Sequence, residues 1–215
     1  MPSLCPICGE PARRSWEPCA SCREEALRIV GDSCSLCGID LAGSDDPCPV
    51  CRGRATMLDG VVALGVWGGP LREWLSMLKY GGDWRLAAWP AQMAAASIRN
   101  RWPEAVVVPV PPRSGRTFRN GPDAVTLVSR ELRRLGIPVE KPLRRIGRRS
   151  QKSLSREDRL SGRALHFERR RGRRIPECCV LLDDVSTTGS TLRSCAKALK
   201  DSGAAQAYAV VICRD

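Results

Sequence analysis

Val180-Leu181-Leu182-Asp183-Asp184-Val185-Ser186-Thr187-Thr188-Gly189-Ser190-Thr191 runs from an apolar stretch through two adjacent carboxylates into a loop of hydroxyls and glycine. Cys178–Leu182 reads as a buried strand, and Ser190–Lys200 has the amphipathic spacing of a helix that stops at Gly203. A strand ending in a carboxylate pair delivers both acids to the edge of a sheet. The loop that follows offers backbone N–H groups, several hydroxyls and the positive end of a helix dipole, all suited to a phosphate monoester. Carboxylates accept hydrogen bonds from the 2′- and 3′-hydroxyls of a ribose whose 5′-phosphate lies in the loop, so one sugar phosphate satisfies both halves of the stretch. The plainer alternative is a strand-end acidic cluster for Mg2+, which supplies no reason for the dense hydroxyl loop.

Outward from this stretch, strands alternate with helices. Val61–Trp67 is an apolar run of strand type, and Pro70–Lys79 has helical spacing with Leu71, Trp74, Leu75 and Leu78 on one face. The Gly81-Gly82 pair stops that helix. Trp84–Ile98 is an Ala-rich amphipathic helix, Ala105–Val110 a short buried strand among prolines, and Asp123–Leu135 a helix ending at Gly136. The basic stretch 141–174 is rich in Ser, Gly and Arg and is expected to be a loop with a short helix, and Ala207–Cys213 is a final strand. This order predicts an α/β fold, a parallel sheet covered by helices on both faces, with ligands bound beyond the carboxyl ends of the strands.

The first 54 residues are different. Residues 5–22 (CPICGEPARRSWEPCASC) and 34–51 (CSLCGIDLAGSDDPCPVC) form an internal repeat of 18 residues, offset by 29. Each copy has Cys-x-x-Cys-Gly, then a second Cys-x-x-Cys preceded by Pro. A Cys-x-x-Cys turn places two sulfurs on one ion, and the following Gly lets the backbone fold tightly round it. The spacing predicts a double zinc ribbon over 1–54, ahead of a second domain over 55–215. Two structural Zn2+ ions would be held by Cys5, Cys8, Cys19 and Cys22 and by Cys34, Cys37, Cys48 and Cys51, with interleaved pairing of the four turns left open. Cys178, Cys179, Cys195 and Cys213 lie in apolar contexts and read as small buried hydrophobes. No run of 18 apolar residues is present and the start carries no secretory pattern, so a cytoplasmic protein with no membrane association is expected.

The formal charge of +12 falls to about +8 once two sites of four thiolates and one dication are counted. From Lys141 to Arg174 there are fourteen Lys/Arg against three acids, a local +11, whereas residues 1–54 hold six Arg and eight acids. An anionic partner is expected at the basic segment. The acidic module suits a structural clip or a protein-docking surface.

With these residues in view, DDVSTTGST closely resembles the phosphoribosyl pyrophosphate (PRPP) motif of type I phosphoribosyltransferases, and the four Cys-x-x-Cys pairs resemble the double zinc ribbon of the ComF/GntX family. Leu78-Lys79-Tyr80-Gly81-Gly82-Asp83 is similar to that family's Lys-Tyr-x-Gly-Asp element, and Val108-Pro109-Val110-Pro111 to its pyrophosphate-loop strand. Gln151, Leu154, Arg159, Ala164 and Phe167, and the terminal Cys213-Arg214, fall where the family has the same types. The resemblance implies a type I phosphoribosyltransferase fold that binds PRPP or ribose 5-phosphate with Mg2+. Asp183 and Asp184 would be the catalytic and ribose-binding carboxylates, with Val185, Ser186, Thr187, Thr188, Gly189, Ser190 and Thr191 cradling the 5′-phosphate. Arg113, Arg116 or Arg119 would approach the pyrophosphate, and Arg148, Arg149, Lys152 and Arg159 would close over it as a flap. One departure stands out: where the family has Arg-Gly-Phe-Asn-Gln or Arg-Gly-x-Asp, this chain has Arg116-Thr117-Phe118-Arg119-Asn120-Gly121-Pro122-Asp123. The family's link to natural competence implies an alternative, non-catalytic function: a DNA-uptake accessory protein handling single-stranded DNA along 141–174, beside competence-machinery proteins. Ten aromatics in the chain, with only Phe167 in the basic segment, give stacking little support there. His166, the single histidine, is assigned no role, and no residue announces the acceptor.

Overall fold

The computed structural model describes residues 3–26, 33–53, 56–112, 122–146 and 167–215. In chain order the elements are α1 (Ala20–Ala26), β1 (Gly60–Ala63), α2 (Gly69–Tyr80), a 3-10 turn (Trp84–Ala87), α3 (Ala88–Arg101), β2 (Val106–Pro109), α4 (Ala124–Arg134), β3 (Leu143–Arg145), β4 (Phe167–Arg169), β5 (Cys178–Ser186), α5 (Ser190–Lys200) and β6 (Gln206–Arg214). The main sheet has the order β1-β6-β5-β2, and all of its pairings are parallel.

Alternation along the strands sends successive side chains to opposite faces, and both faces are covered. Val180 and Leu182 join the core beneath α2, α3 and α4, whereas Cys179 and Leu181 join the core beneath α5 and the small β3–β4 ribbon. The expected α/β architecture of a parallel sheet between helices is present. Trp74, fully buried on α2, meets Trp89 edge-on at 5.1 Å and satisfies its indole N–H on the Leu86 carbonyl at 3.1 Å. This ties α2 to the turn and helix that follow it.

Several boundaries differ from expectation. The strand expected over Cys178–Leu182 continues through both aspartates to Ser186, because β6 supplies pairing partners as far as Arg214. The helix expected over Trp84–Ile98 is instead a 3-10 turn capped by Asp83, whose Oδ1 accepts the Arg85 N–H at 3.0 Å, followed by α3 from Ala88. Pro90 falls in the first turn of α3, where a missing N–H costs nothing. The described ends of the basic stretch pair as the antiparallel β3–β4 ribbon. The loop and short helix expected between them lie outside the described residues.

The cysteine-rich segment packs directly on the rest of the chain. In its first repeat α1 lies against α2, Ile7 and Trp16 join the α2–α3–α4 core, and the Arg85 guanidinium stacks 4.8 Å over the Trp16 ring. Gly65 is required where the two parts meet, since a Cβ there would lie 2.5 Å from both the Ala26 carbonyl oxygen and Leu71 Cδ2. In the second repeat, the Ser35 carbonyl accepts the Val61 N–H at 2.7 Å, and the Cys37 carbonyl accepts Arg214 Nε at 3.3 Å.

Candidate functional site

The carboxyl ends of β5 and β2 open into a cavity of about 290 Å3 lined by Lys79, Val110, Pro111, Pro112, Asp123, Val125, Arg145, Asp183, Asp184, Val185 and Thr191. Asp183 and Asp184 project there because β5 carries its hydrogen bonding past its apolar run. Asp183 Oδ1 accepts the Asp184 N–H at 2.9 Å, and Asp184 Oδ1 accepts the Val185 N–H at 2.7 Å. Asp184 Oδ2 meets the Lys79 ammonium at 2.7 Å. Burial, reinforced by the charge of Asp184, pushes the Asp183 carboxyl up to about 7, and Lys79 and Arg145 pull against that rise.

Past Ser186 the chain turns through Gly189, whose φ of 69° is left-handed, and enters α5. Among the described residues no side chain caps this helix by the usual N-cap bond, and Thr188 Oγ1 reaches the Ser190 N–H only at 3.4 Å. The first-turn N–H groups are therefore directed at the loop rather than sealed by an acid. Thr187, Thr188 and Ser190 are exposed, and Thr191 is half-buried in the cavity wall. Ser186 is buried, and its carbonyl accepts both Arg214 Nη1 at 2.9 Å and the Asp215 N–H at 3.0 Å. Its backbone anchors the loop.

The opposite wall comes from distant parts of the chain. Asp123 caps α4, with Oδ1 accepting the Thr126 N–H at 2.8 Å, while its Oδ2 is buried with no hydrogen-bond partner among the described residues. Arg145 on β3 lies 4.8 Å over the Phe167 ring and donates from Nε to the Pro111 carbonyl at 3.4 Å. Of the residues expected from the sequence, Asp183, Asp184, Val185 and Thr191 share this cavity. Arg113, Arg116, Arg119, Arg148, Arg149, Lys152 and Arg159 lie outside the described residues. Lys79, Asp123 and Arg145 were not among the expected site residues. For Lys79 a signal existed, its place in the Lys-Tyr-Gly-Gly-Asp element, but nothing local in the sequence pairs it with Asp184.

Carboxylates facing one cavity, with the orphaned Asp123 oxygen among them, form a donor set of the hard-oxygen type that suits Mg2+ shared with a phosphorylated substrate. The cysteines form two further groups. Cys5, Cys8, Cys19 and Cys22 bring their sulfurs within 4.8 Å of one another, as do Cys34, Cys37, Cys48 and Cys51. Each group therefore comes from one repeat. Sulfur separations of 3.9 Å (Cys5–Cys22), 3.5 Å (Cys8–Cys19) and 3.8 Å (Cys37–Cys48) fit the ~3.8 Å edge of a tetrahedron built on Zn–S bonds of about 2.3 Å. Burial and the neighbouring sulfurs push the Cys22 and Cys51 thiols up, and a cation in either place would favour the thiolate form of all four sulfurs. Each group could hold one zinc ion.

No family model matches the chain, and no curated protein matches it. Solved structures share part of its trace. The allosteric regulatory enzyme of purine biosynthesis is 21% identical over 59% of this chain and 26% of its own, with a TM-score of 0.38. The hypoxanthine-guanine phosphoribosyl transferase of L. donovani is 15% identical over 60% of this chain and 69% of its own, with a TM-score of 0.39. The hypoxanthine phosphoribosyl transferase of Trypanosoma cruzi is 14% identical over 58% of this chain and 60% of its own, with a TM-score of 0.37. The chain thus spans about a quarter of the first enzyme. At these scores the functional reading rests on the site.

Proposed function

We propose that this chain binds PRPP in the cavity at the end of β5 and acts as a phosphoribosyltransferase-like protein of the ComF type. The observation that carries the reading is one cavity in which a strand-end carboxylate pair meets the entrance of an uncapped helix through a left-handed glycine. Asp183 and Asp184 accept the ribose hydroxyls, and the loop from Val185 to Thr191 takes the 5′-phosphate on its N–H groups and hydroxyls. Arg145 lines the side assigned to the leaving pyrophosphate; the cationic residues at 113–119 and 148–159, to which the sequence assigns the same task, lie outside the described residues. Mg2+, bound with PRPP near Asp183 and Asp184, would supply charge neutralisation to the leaving pyrophosphate. The acceptor enters beneath the hood formed by α2 and the segment before Val106. Each four-cysteine group holds one structural Zn2+, so that 1–54 is a double zinc ribbon serving the domain over 55–215. Among the described residues no helix is long and apolar enough to cross a membrane.

Titration of the full chain with PRPP and Mg2+ by calorimetry, beside the Asp183→Asn/Asp184→Asn double variant, tests this directly. Binding by the wild type and its loss in the variant are expected. Equal heats for both, or none for either, refute it. Pyrophosphate release against a panel of bases and amines then identifies the acceptor.

A second reading, single-stranded DNA held along 141–174, draws on the cations around Lys141. Its ammonium is pushed down by burial and then by Arg133, with Arg170 and Arg130 adding to the effect. Binding that falls steeply with salt, and survives the Asp183/Asp184 double variant, would support it.

A further inference from the structure

Asp184 is gripped from two directions. Its Oδ1 accepts the Val185 N–H at 2.7 Å and its Oδ2 takes the Lys79 ammonium at 2.7 Å. A carboxylate with a partner on each oxygen cannot rotate about Cβ–Cγ without losing one of them. Each oxygen still keeps a lone pair for another donor. Asp184 is therefore presented in a fixed plane with acceptor capacity to spare.

The support behind Lys79 is rigid. It stands in the last turn of α2, where the helix dipole favours a cation. The adjacent Leu78 is 2% exposed, and Leu71, Trp74 and Leu75 are buried along the same helix. Gly81 donates its N–H to the Met77 carbonyl at 2.6 Å, and Gly82, at φ 72°, turns the chain away. Side-chain exposures of 26% for Lys79 and 24% for Asp184 leave the pair partly desolvated, where a charge-assisted hydrogen bond is stronger than on an open surface. Among the described residues, the charged or titratable groups around the two carboxylates besides Lys79 include Arg145, Asp123, Cys195 and Cys213.

We propose that Lys79 is the positioning residue of the sugar site: by holding Asp184 Oδ2 from the hood side, it sets the plane on which the ribose hydroxyls register. This rests on the sugar-phosphate reading of the cavity and adds a residue that acts through the carboxylate. It also makes α2 the physical link between the cysteine-rich segment, which packs on that helix through α1, and the sugar.

Lys79→Met and Lys79→Arg test it with two readouts on the full zinc-loaded chain. The first is calorimetric affinity for ribose 5-phosphate and for PRPP with Mg2+. The second is the ratio of affinities for ribose 5-phosphate and 2-deoxyribose 5-phosphate, which a merely architectural lysine would not move. Loss of one charge-assisted bond weakens ribose 5-phosphate binding roughly tenfold in Lys79→Met. The preference for the sugar that carries the 2′-hydroxyl shrinks with it, and Lys79→Arg restores most of both. An unchanged preference in Lys79→Met, at whatever affinity, refutes the proposal and leaves the site reading standing. A wild type that binds neither sugar phosphate refutes the site reading and the proposal with it.

Discussion

Replacing Asp183 with asparagine should stabilise the fold while it abolishes sugar binding. Burial and the neighbouring Asp184 charge raise the Asp183 carboxyl from 3.8 to about 7. Below pH 3.8 the group is neutral in both folded and unfolded chains and carries no penalty. Between 3.8 and about 7 the unfolded chain ionises and the folded one does not, so stability falls with rising pH. Above 7 the loss is complete. Roughly three units at ~1.36 kcal/mol each amount to about 4 kcal/mol. Asparagine stays neutral throughout and keeps the Oδ1 acceptor used by the Asp184 N–H. The stability gap between variant and wild type should widen between pH 5 and pH 7 by about 2 kcal/mol, or roughly 4–8 °C in Tm. Urea unfolding of both proteins at pH 5, 7 and 8 measures it, and other titrating groups cancel in the comparison. A gap that is constant with pH would show that Asp183 titrates as an ordinary surface carboxylate, and the reasoning from burial would fail.

Three further outcomes are expected. Gly65→Ala, which drives a Cβ to 2.5 Å from the Ala26 carbonyl oxygen, should cost about 1–3 kcal/mol in urea unfolding, since backbone and a buried leucine must both give way. Gly189→Ala, forced to hold φ 69°, should cost about 1–2 kcal/mol, and should weaken ribose 5-phosphate in calorimetry while leaving the zinc content unchanged. Metal analysis should find two zinc ions per chain in the wild type and one each in Cys8→Ser and Cys37→Ser. Loss of both ions from either variant would point to ligands shared between the repeats.

The sequence announces those parts of the molecule whose physics is local. Val180 and Leu182 against Cys179 and Leu181 are a strand buried on both faces, and Leu71, Trp74, Leu75 and Leu78 are one face of a helix. Asp183-Asp184-Val185 followed by Ser-Thr-Thr-Gly-Ser-Thr is legible because strand-end carboxylates and a hydroxyl-rich loop entering a helix are adjacent in the chain. What escapes is whatever depends on a distant partner. The extension of β5 to Ser186 needs the pairing of Val185 with Cys213 and of Ser186 with Arg214, and no apolar run marks it. The division of residues 84–101 into a turn and a helix turns on Asp83 capping Arg85. Lys79, Asp123 and Arg145 reach one cavity from three separate elements, so each looks locally like a helix-end lysine, a cap or one arginine among many.

The contact between the Ser35 carbonyl and the Val61 N–H has a consequence for solubility. β1, of sequence GVVA, is the outermost strand on its side, and Ser35 lies inside the Cys34–Cys37 turn. On the far side β2 is screened without any metal, since Val107 donates to the Pro138 carbonyl and accepts from the Glu140 N–H, both at 2.9 Å. The two borders of the sheet are therefore guarded unequally. A chain whose Cys34–Cys37 turn came apart would bare a short apolar strand and leave the Val61 N–H without its Ser35 partner, the kind of border on which a second chain adds its own strand. Chelation should therefore promote self-association through β1, even while the cavity at the end of β5, on the other side of β6, keeps its shape.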